Sequence, residues 1–229
     1  MNIKYLLYAA LTELQKAAKG ALAGTEIEVI ADTINRFAIY SAVASAVAMF
    51  PGPAGVIAML SQCGLVWGTY LAINKHLGIS LKEEVVKFIG SAVLTNLATA
   101  ATTLVASYVG ATILSWLPFA NLLAGVLIAA MGYVLIYLSA IVYLNILTKV
   151  MRVKGSFNLD QSQATKELIA DVVSETDVKG IIKEGTQLFK EAYKNGEFKA
   201  ARKNPTCPYC GEALKEGQKF CSVYGNKLN

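Results

Sequence analysis

The residues best equipped for chemistry stand at the C-terminal end, in Cys207-Pro-Tyr-Cys210-Gly and then Phe220-Cys221-Ser-Val-Tyr224-Gly. Two thiolates two residues apart, followed by glycine, turn back toward one point. A pair of such knuckles offers zinc a tetrahedral ligand set. The second knuckle is incomplete, because Tyr224 occupies the place of its second thiolate. A phenol with a pKa of about 10 is a poor zinc ligand at neutral pH. Elsewhere the chain is sparing with reactive groups. It has one histidine, His76, which leaves little general acid–base chemistry near neutrality. No Gly-x-x-x-x-Gly-Lys-Ser/Thr occurs, so no phosphate cradle is expected. No catalytic residues are assigned.

Residues from about Pro205 to Leu228 resemble the short zinc-ribbon modules at the ends of many bacterial membrane proteins. Matched position by position, the resemblance implies Cys207, Cys210 and Cys221 as metal ligands, with Tyr224 where the family has its fourth cysteine. Water at the fourth place or much reduced affinity would follow. An open position also occurs in catalytic zinc sites, but no nearby acid or histidine offers a general base, so loss of a structural ligand is the reading. His76 reads as a loop histidine and not as the missing ligand. Cys63 reads as a small buried apolar residue.

The elements that hold this module are unusual in composition. Of 229 residues, 55% are hydrophobic and 16% charged, with mean hydropathy +0.46. Soluble domains usually carry about 25% charge. The shortfall comes from two stretches, Phe37 to Asn74 and Phe88 to Thr148, that contain no Asp, Glu, Lys, Arg or His. A helix needs about 20 apolar residues to cross a bilayer. Multi-pass insertion in a cytoplasmic membrane is therefore expected.

Helix punctuation divides these stretches. Residues 1–24 form an amphipathic helix, with Ile3, Leu6, Leu7, Ala10, Leu11, Leu14 and Ala18 on one face. It is not expected to be a cleavable signal peptide, since Glu13 and Gln15 follow its apolar run. Residues 25–150 read as a membrane domain of two helical hairpins. Thr25 to Glu28 and Ser80 to Glu83 are capping boxes that open helices. Pro51-Gly52-Pro53 and the break at Pro118 turn the two hairpins. The last membrane helix is expected to end near Leu147. Small residues such as Ser41, Ser45 and Gly132 let backbones approach closely. Asn96, Asn121 and Asn145 are expected to hydrogen-bond across helices.

Every charged flank lies at one end of the hairpins. Bases including Lys149, Arg152 and Lys154 put that end, and both termini, in the cytoplasm. The reducing cytoplasm disfavours disulfides. The first apolar arm, Phe37 to Phe50, rises only about 21 Å against a hydrocarbon core of about 30 Å, so a dip and return without full crossing stands as the alternative to a complete span. Residues 151–203 read as a soluble helical segment, with apolar faces at Leu168, Ile169, Val172 and Val173 and at Ile181, Ile182, Gly185, Leu188 and Phe189. Lys199, Arg202 and Lys203 form a small basic patch that reads as a solvated linker, with contact to anionic headgroups as the functional alternative. Residues 204–229 are the zinc-ribbon-like module.

From about Glu26 to Val150 the chain resembles a bacterial family of membrane domains of unknown function, numbered six hundred ninety-seven, that often accompanies Era-like GTPase domains. The resemblance rests on Ile34-Asn35-Arg36, on Phe50 to Gly55, on His76 to Ser80 before Glu83-Glu84, on Ile89-Gly90-Ser91 and on Trp116 to Asn121. It implies a four-helix membrane module that serves a nucleotide-driven partner, with any GTPase acting in trans.

The expected protein is thus all-α, a membrane-embedded two-hairpin bundle with cytoplasmic helices and a degenerate zinc ribbon. Its expected role is a non-enzymatic scaffold or adaptor that recruits a cytoplasmic partner. The alternative is a homo-oligomeric pore or membrane-remodelling protein. No nucleic-acid partner is expected.

Overall fold

A computed structural model of the chain describes residues 3–18, 27–47, 53–114 and 120–199, and singly residues 207, 214, 218 and 219. Within the long helices, residues 46–47, 53–62, 99–114 and 120–124 are described by backbone alone. The described residues are all helical apart from their connections: α1 (Ile3–Ala17), α2 (Ile27–Val47), α3 (Pro53–Leu77), α4 (Glu83–Leu114), α5 (Ala120–Lys154), α6 (Gln163–Glu175) and α7 (Val178–Lys194).

Local chemistry sets most of these boundaries. Pro53 opens α3, where its fixed φ suits the first helical position and its missing N–H costs nothing. α4 begins at Glu83, and the Lys82 carbonyl accepts from both Val85 and Val86. Lys82 therefore holds the capping position, two residues later than the expected Ser80 box. The Thr25 box lies outside the described residues. α5 continues past Leu147 to Lys154, two turns further than expected, and stops where Gly155 takes φ +66°. Ser162 caps α6 by accepting from the Thr165 N–H, and Asp177 caps α7 by accepting from the Gly180 N–H.

α5 is the axle. All six other helices touch it, and a single hydrophobic core draws residues from all seven. From Ala129 to Val150 nearly every side chain of α5 is buried. The amphipathic helices supply much of that cover. Ile3, Leu7, Ala10, Leu11 and Leu14 of α1 are buried, as are Ile169, Val172 and Val173 of α6 and Ile181, Ile182, Gly185 and Phe189 of α7. These are the faces that the sequence periodicity marks.

Of the multi-pass insertion expected from sequence, the described residues support one candidate span. Among the described residues one helical segment, Gly125–Lys154, is long and apolar enough to cross a membrane, and 72% of its most apolar window is buried by protein. A helix that is apolar on all sides needs an apolar surround. Along most of α5 the other six helices provide it.

Candidate functional site

Two features bear on function: a boundary where the charged helices end, and the anchorage of the cysteine module.

The boundary is built from α5 outward. Tyr133, Tyr137 and Tyr143 are buried phenols, and each needs a partner for its O–H. Tyr137 donates to Asn35 Oδ1 at 2.8 Å, and Tyr133 donates to the same oxygen at 3.1 Å. Tyr143 donates to Asn74 Oδ1 at 2.7 Å and stacks on Tyr70, with ring centroids 4.0 Å apart. Tyr70 donates to the Ser139 carbonyl at 3.0 Å. These bonds lock α2 and α3 onto α5. Where α2 crosses nearest, Gly132 leaves no room for a side chain: a Cβ there would overlap Ser45 Oγ and stand 3.1 Å from the Ser41 carbonyl.

At the level of Tyr133 and Val134 the amphipathic helices α1 and α7 meet on α5. Ile3, at the start of α1, and Val134 of α5 both crowd Gly185 of α7, where a Cβ would lie 3.1 Å from Ile3 Cδ1 and 3.2 Å from Val134 Cγ2. Phe189 and Phe198 set their rings 5.7 and 6.0 Å from that of Tyr133. The carboxylates of Glu191 and Glu197 lie within electrostatic reach of the Tyr133 phenol. Lys4, Glu191, Lys194 and Lys199 are exposed around this rim. Beyond it the helices continue toward residues 48–52 and 115–119, and the sequence from 46 to 62 and from 99 to 124 carries no charge at all.

The opposite end is charged and internally paired. Arg152 donates to Glu13 Oε2 at 2.6 Å, Lys149 to Glu175 Oε1 at 2.9 Å, and Lys154 to the Asn158 carbonyl at 3.2 Å. The three expected juxtamembrane bases thus hold α1, α6 and the α5–α6 connection to α5. Lys16, and then Arg152, hold the Glu13 carboxyl below its ordinary range. Asp160 is likewise held low, by hydrogen bonds from Ser162 and Thr165. His76 Nε2 lies 3.3 Å from Thr33 Oγ1, on the helix pair α2–α3.

Cys207 is buried at 1% exposure and lies within electrostatic reach of the half-buried Tyr40 of α2. Cys210, Cys221 and Tyr224 lie outside the described residues, as do Pro51, Gly52 and Pro118. Among the described residues no group of three His, Cys, Asp or Glu is placed to hold a metal ion.

Of the amides singled out in sequence, Asn96 donates to the Ala92 carbonyl of its own helix at 2.8 Å, not across helices. The cross-helix amides are Asn35 and Asn74, which the sequence reading passed over. Their signal was the Tyr133/Tyr137 pair one helical turn apart in a charge-free run, since buried phenols demand acceptors.

Comparison of the chain with protein-family models, with curated proteins and with solved structures finds no match.

Proposed function

We propose that this chain is a non-enzymatic membrane adaptor. Its uncharged helical ends lie in a bilayer, its charged helical base stands in the cytoplasm, and its C-terminal cysteine module presents a surface to a protein partner. One observation carries the reading. α1 and α7 pack on α5 through Ile3, Gly185 and Phe189 beside Val134 and Tyr133, and the sequence of the four helix ends, 46–62 and 99–124, contains no charged residue. An uncharged sequence of this extent suits a membrane or a partner surface. Burying it in hydrocarbon carries none of the cost, about 2.5–3.5 kcal/mol per charged residue, that opposes insertion.

The cysteine module completes the proposal. Cys207, Cys210 and Cys221 would hold zinc with one position not filled by thiolate, stabilising a small recognition surface rather than a reaction centre. The resemblance to GTPase-associated membrane domains supports a nucleotide-driven partner acting in trans. Carbonate washing of cell membranes tests the location, with the chain expected to stay in the pellet. Affinity capture from detergent-solubilised membranes tests the partner, with a GTPase expected to co-purify. Leakage of a trapped dye from vesicles carrying the purified protein would favour a pore instead.

A further inference from the structure

We propose that α6 and α7 form a docking surface for a second copy of this chain, in which a basic stripe along α7 meets the acidic stripe along α6 of the partner. Such pairing is independent of whether the uncharged helix ends lie in lipid.

Helical spacing builds both stripes. Lys179, Lys183, Lys190 and Lys194 fall within about 60° of one another around α7 and extend for about 22 Å along it. Lys179, Lys183 and Lys194 are exposed, and Lys190 is half-buried. The two acids of α7, Glu184 and Glu191, fall toward the other edge of its outer face. On α6 the sign is reversed. Glu167, Asp171 and Glu175 recur every four residues over about 12 Å, and all three are exposed. Their exposed neighbours Ala164, Ala170 and Ser174 are small, so long side chains from a partner can reach the carboxylates. The one base of α6, Lys166, sits over the Phe88 ring of α4 instead.

Within one chain the stripes do not neutralise each other. Only Thr176 and Asp177 separate α6 from α7, yet both helices pack on α4 and α5 rather than along each other. Glu175 is held by Lys149 at 2.9 Å, and Glu167 accepts from Gln163 of its own helix. Among the described residues no ion pair reaches Glu167, Asp171, Lys179, Lys183 or Lys194. Like charges four residues apart repel along a helix, so each stripe is destabilising until an opposite charge covers it. An anionic bilayer would suit the lysines but repel the acids of α6, which lie on the same α4–α5 side of the bundle. A second copy satisfies both. Under two-fold symmetry each α6 faces the other chain's α7, and the complementary contact is made twice.

Charge reversal tests this on the purified full chain in mild non-ionic detergent, with mass read by sedimentation velocity. Wild type is expected to be dimeric at low ionic strength and monomeric in molar salt, where the Debye length shrinks to about 3 Å. A chain reversed on α6, Glu167→Lys with Asp171→Lys, is expected to be monomeric at low salt. So is a chain reversed on α7, Lys179→Glu with Lys183→Glu. Mixed one to one, these two are expected to form a heterodimer, because each now offers the sign that the other lacks. Should a reversed chain lose its helical circular dichroism, the neutral variants Asp171→Asn and Lys183→Gln serve instead, and each is expected to raise the dissociation constant several-fold. A wild type that is monomeric at low salt overturns the proposal. So does a dimer that survives either reversal, a helical mixture that stays monomeric, or a dissociation constant unmoved by the neutral variants. Capture of the wild type by phosphatidylglycerol vesicles, lost on reversing α7 but not α6, with no dimer at low salt, assigns the lysines to lipid and overturns it as well.

Discussion

Tyr137 of α5 donates its phenolic proton to Asn35 of α2 across 2.8 Å, joining residues 102 positions apart. The same amide oxygen accepts from Tyr133 at 3.1 Å, so one side chain satisfies two buried donors. Removing the acceptor therefore does more harm than removing either donor. Asn35→Ala leaves two phenols unpaired at about 1–3 kcal/mol each, while Tyr137→Phe costs about 1 kcal/mol. Thermal unfolding of the two variants in the same detergent or lipid should rank them in that order, and equal losses would refute the shared acceptor.

The contact at Gly132 makes a second, sharper expectation. Gly132→Ala pushes a methyl into Ser45 Oγ and toward the Ser41 backbone, and overpacking of this kind costs about 1–3 kcal/mol. Pairing it with Ser45→Gly should recover part of the loss, because the side chain in the way is gone. The rest of the penalty is shared by the Ser41 hydroxyl, 2.8 Å from the added Cβ, and the Ser41 carbonyl at 3.1 Å, and only the second survives a side-chain change at Ser41. A double-mutant cycle read by chemical unfolding measures the coupling.

Acid should loosen the charged base first. Asp160 is held below its ordinary pKa of 3.8 by Ser162 and Thr165, and Glu13 below 4.5 by Lys16 and then Arg152. In both, the folded-state pKa lies under the unfolded value. Their stabilisation is complete above the unfolded value and disappears as pH falls through the folded one. Asp160→Asn should therefore flatten the fall in unfolding midpoint below pH 3.8, while leaving the neutral-pH slope unchanged. A carboxyl titration by NMR, showing Asp160 at or above its ordinary value, would contradict this.

Zinc binding gives the fourth expectation. The purified chain should take up zinc through Cys207, Cys210 and Cys221, lose it on Cys207→Ser, and bind it more tightly after Tyr224→Cys. Chelator competition measures both changes. If Tyr224→Cys leaves affinity unchanged, the tyrosine does not stand in a ligand position.

Sequence periodicity located the amphipathic faces well. Leu7, Leu11 and Leu14, Ile169 and Val172, and Ile181 and Phe189 are all buried as their spacing requires. α7 stops at the Asn195-Gly196 pair, with Asn195 at its C-cap and Gly196 at φ +75°. What spacing could not show is what each face packs against. An uncharged run reads alike whether lipid or six other helices surround it, so the cover around α5 was invisible until α1, α6 and α7 were placed. The Asn35 and Asn74 links were hidden for a related reason: a polar group is interpretable only with its partner, and these partners lie 69 to 102 positions away. The bases Lys149 and Arg152 read from sequence only as markers of topology, because their partners Glu175 and Glu13 are remote in sequence.

Cys207, buried within electrostatic reach of Tyr40, brings the chain beyond α7 back to α2. Tension from anything gripping the last residues is therefore delivered to the first hairpin before it can peel α7 away. α2 is in turn riveted to the axle through Asn35 and the Ser45–Gly132 crossing, so a tug at the terminus becomes a torque on α5 itself.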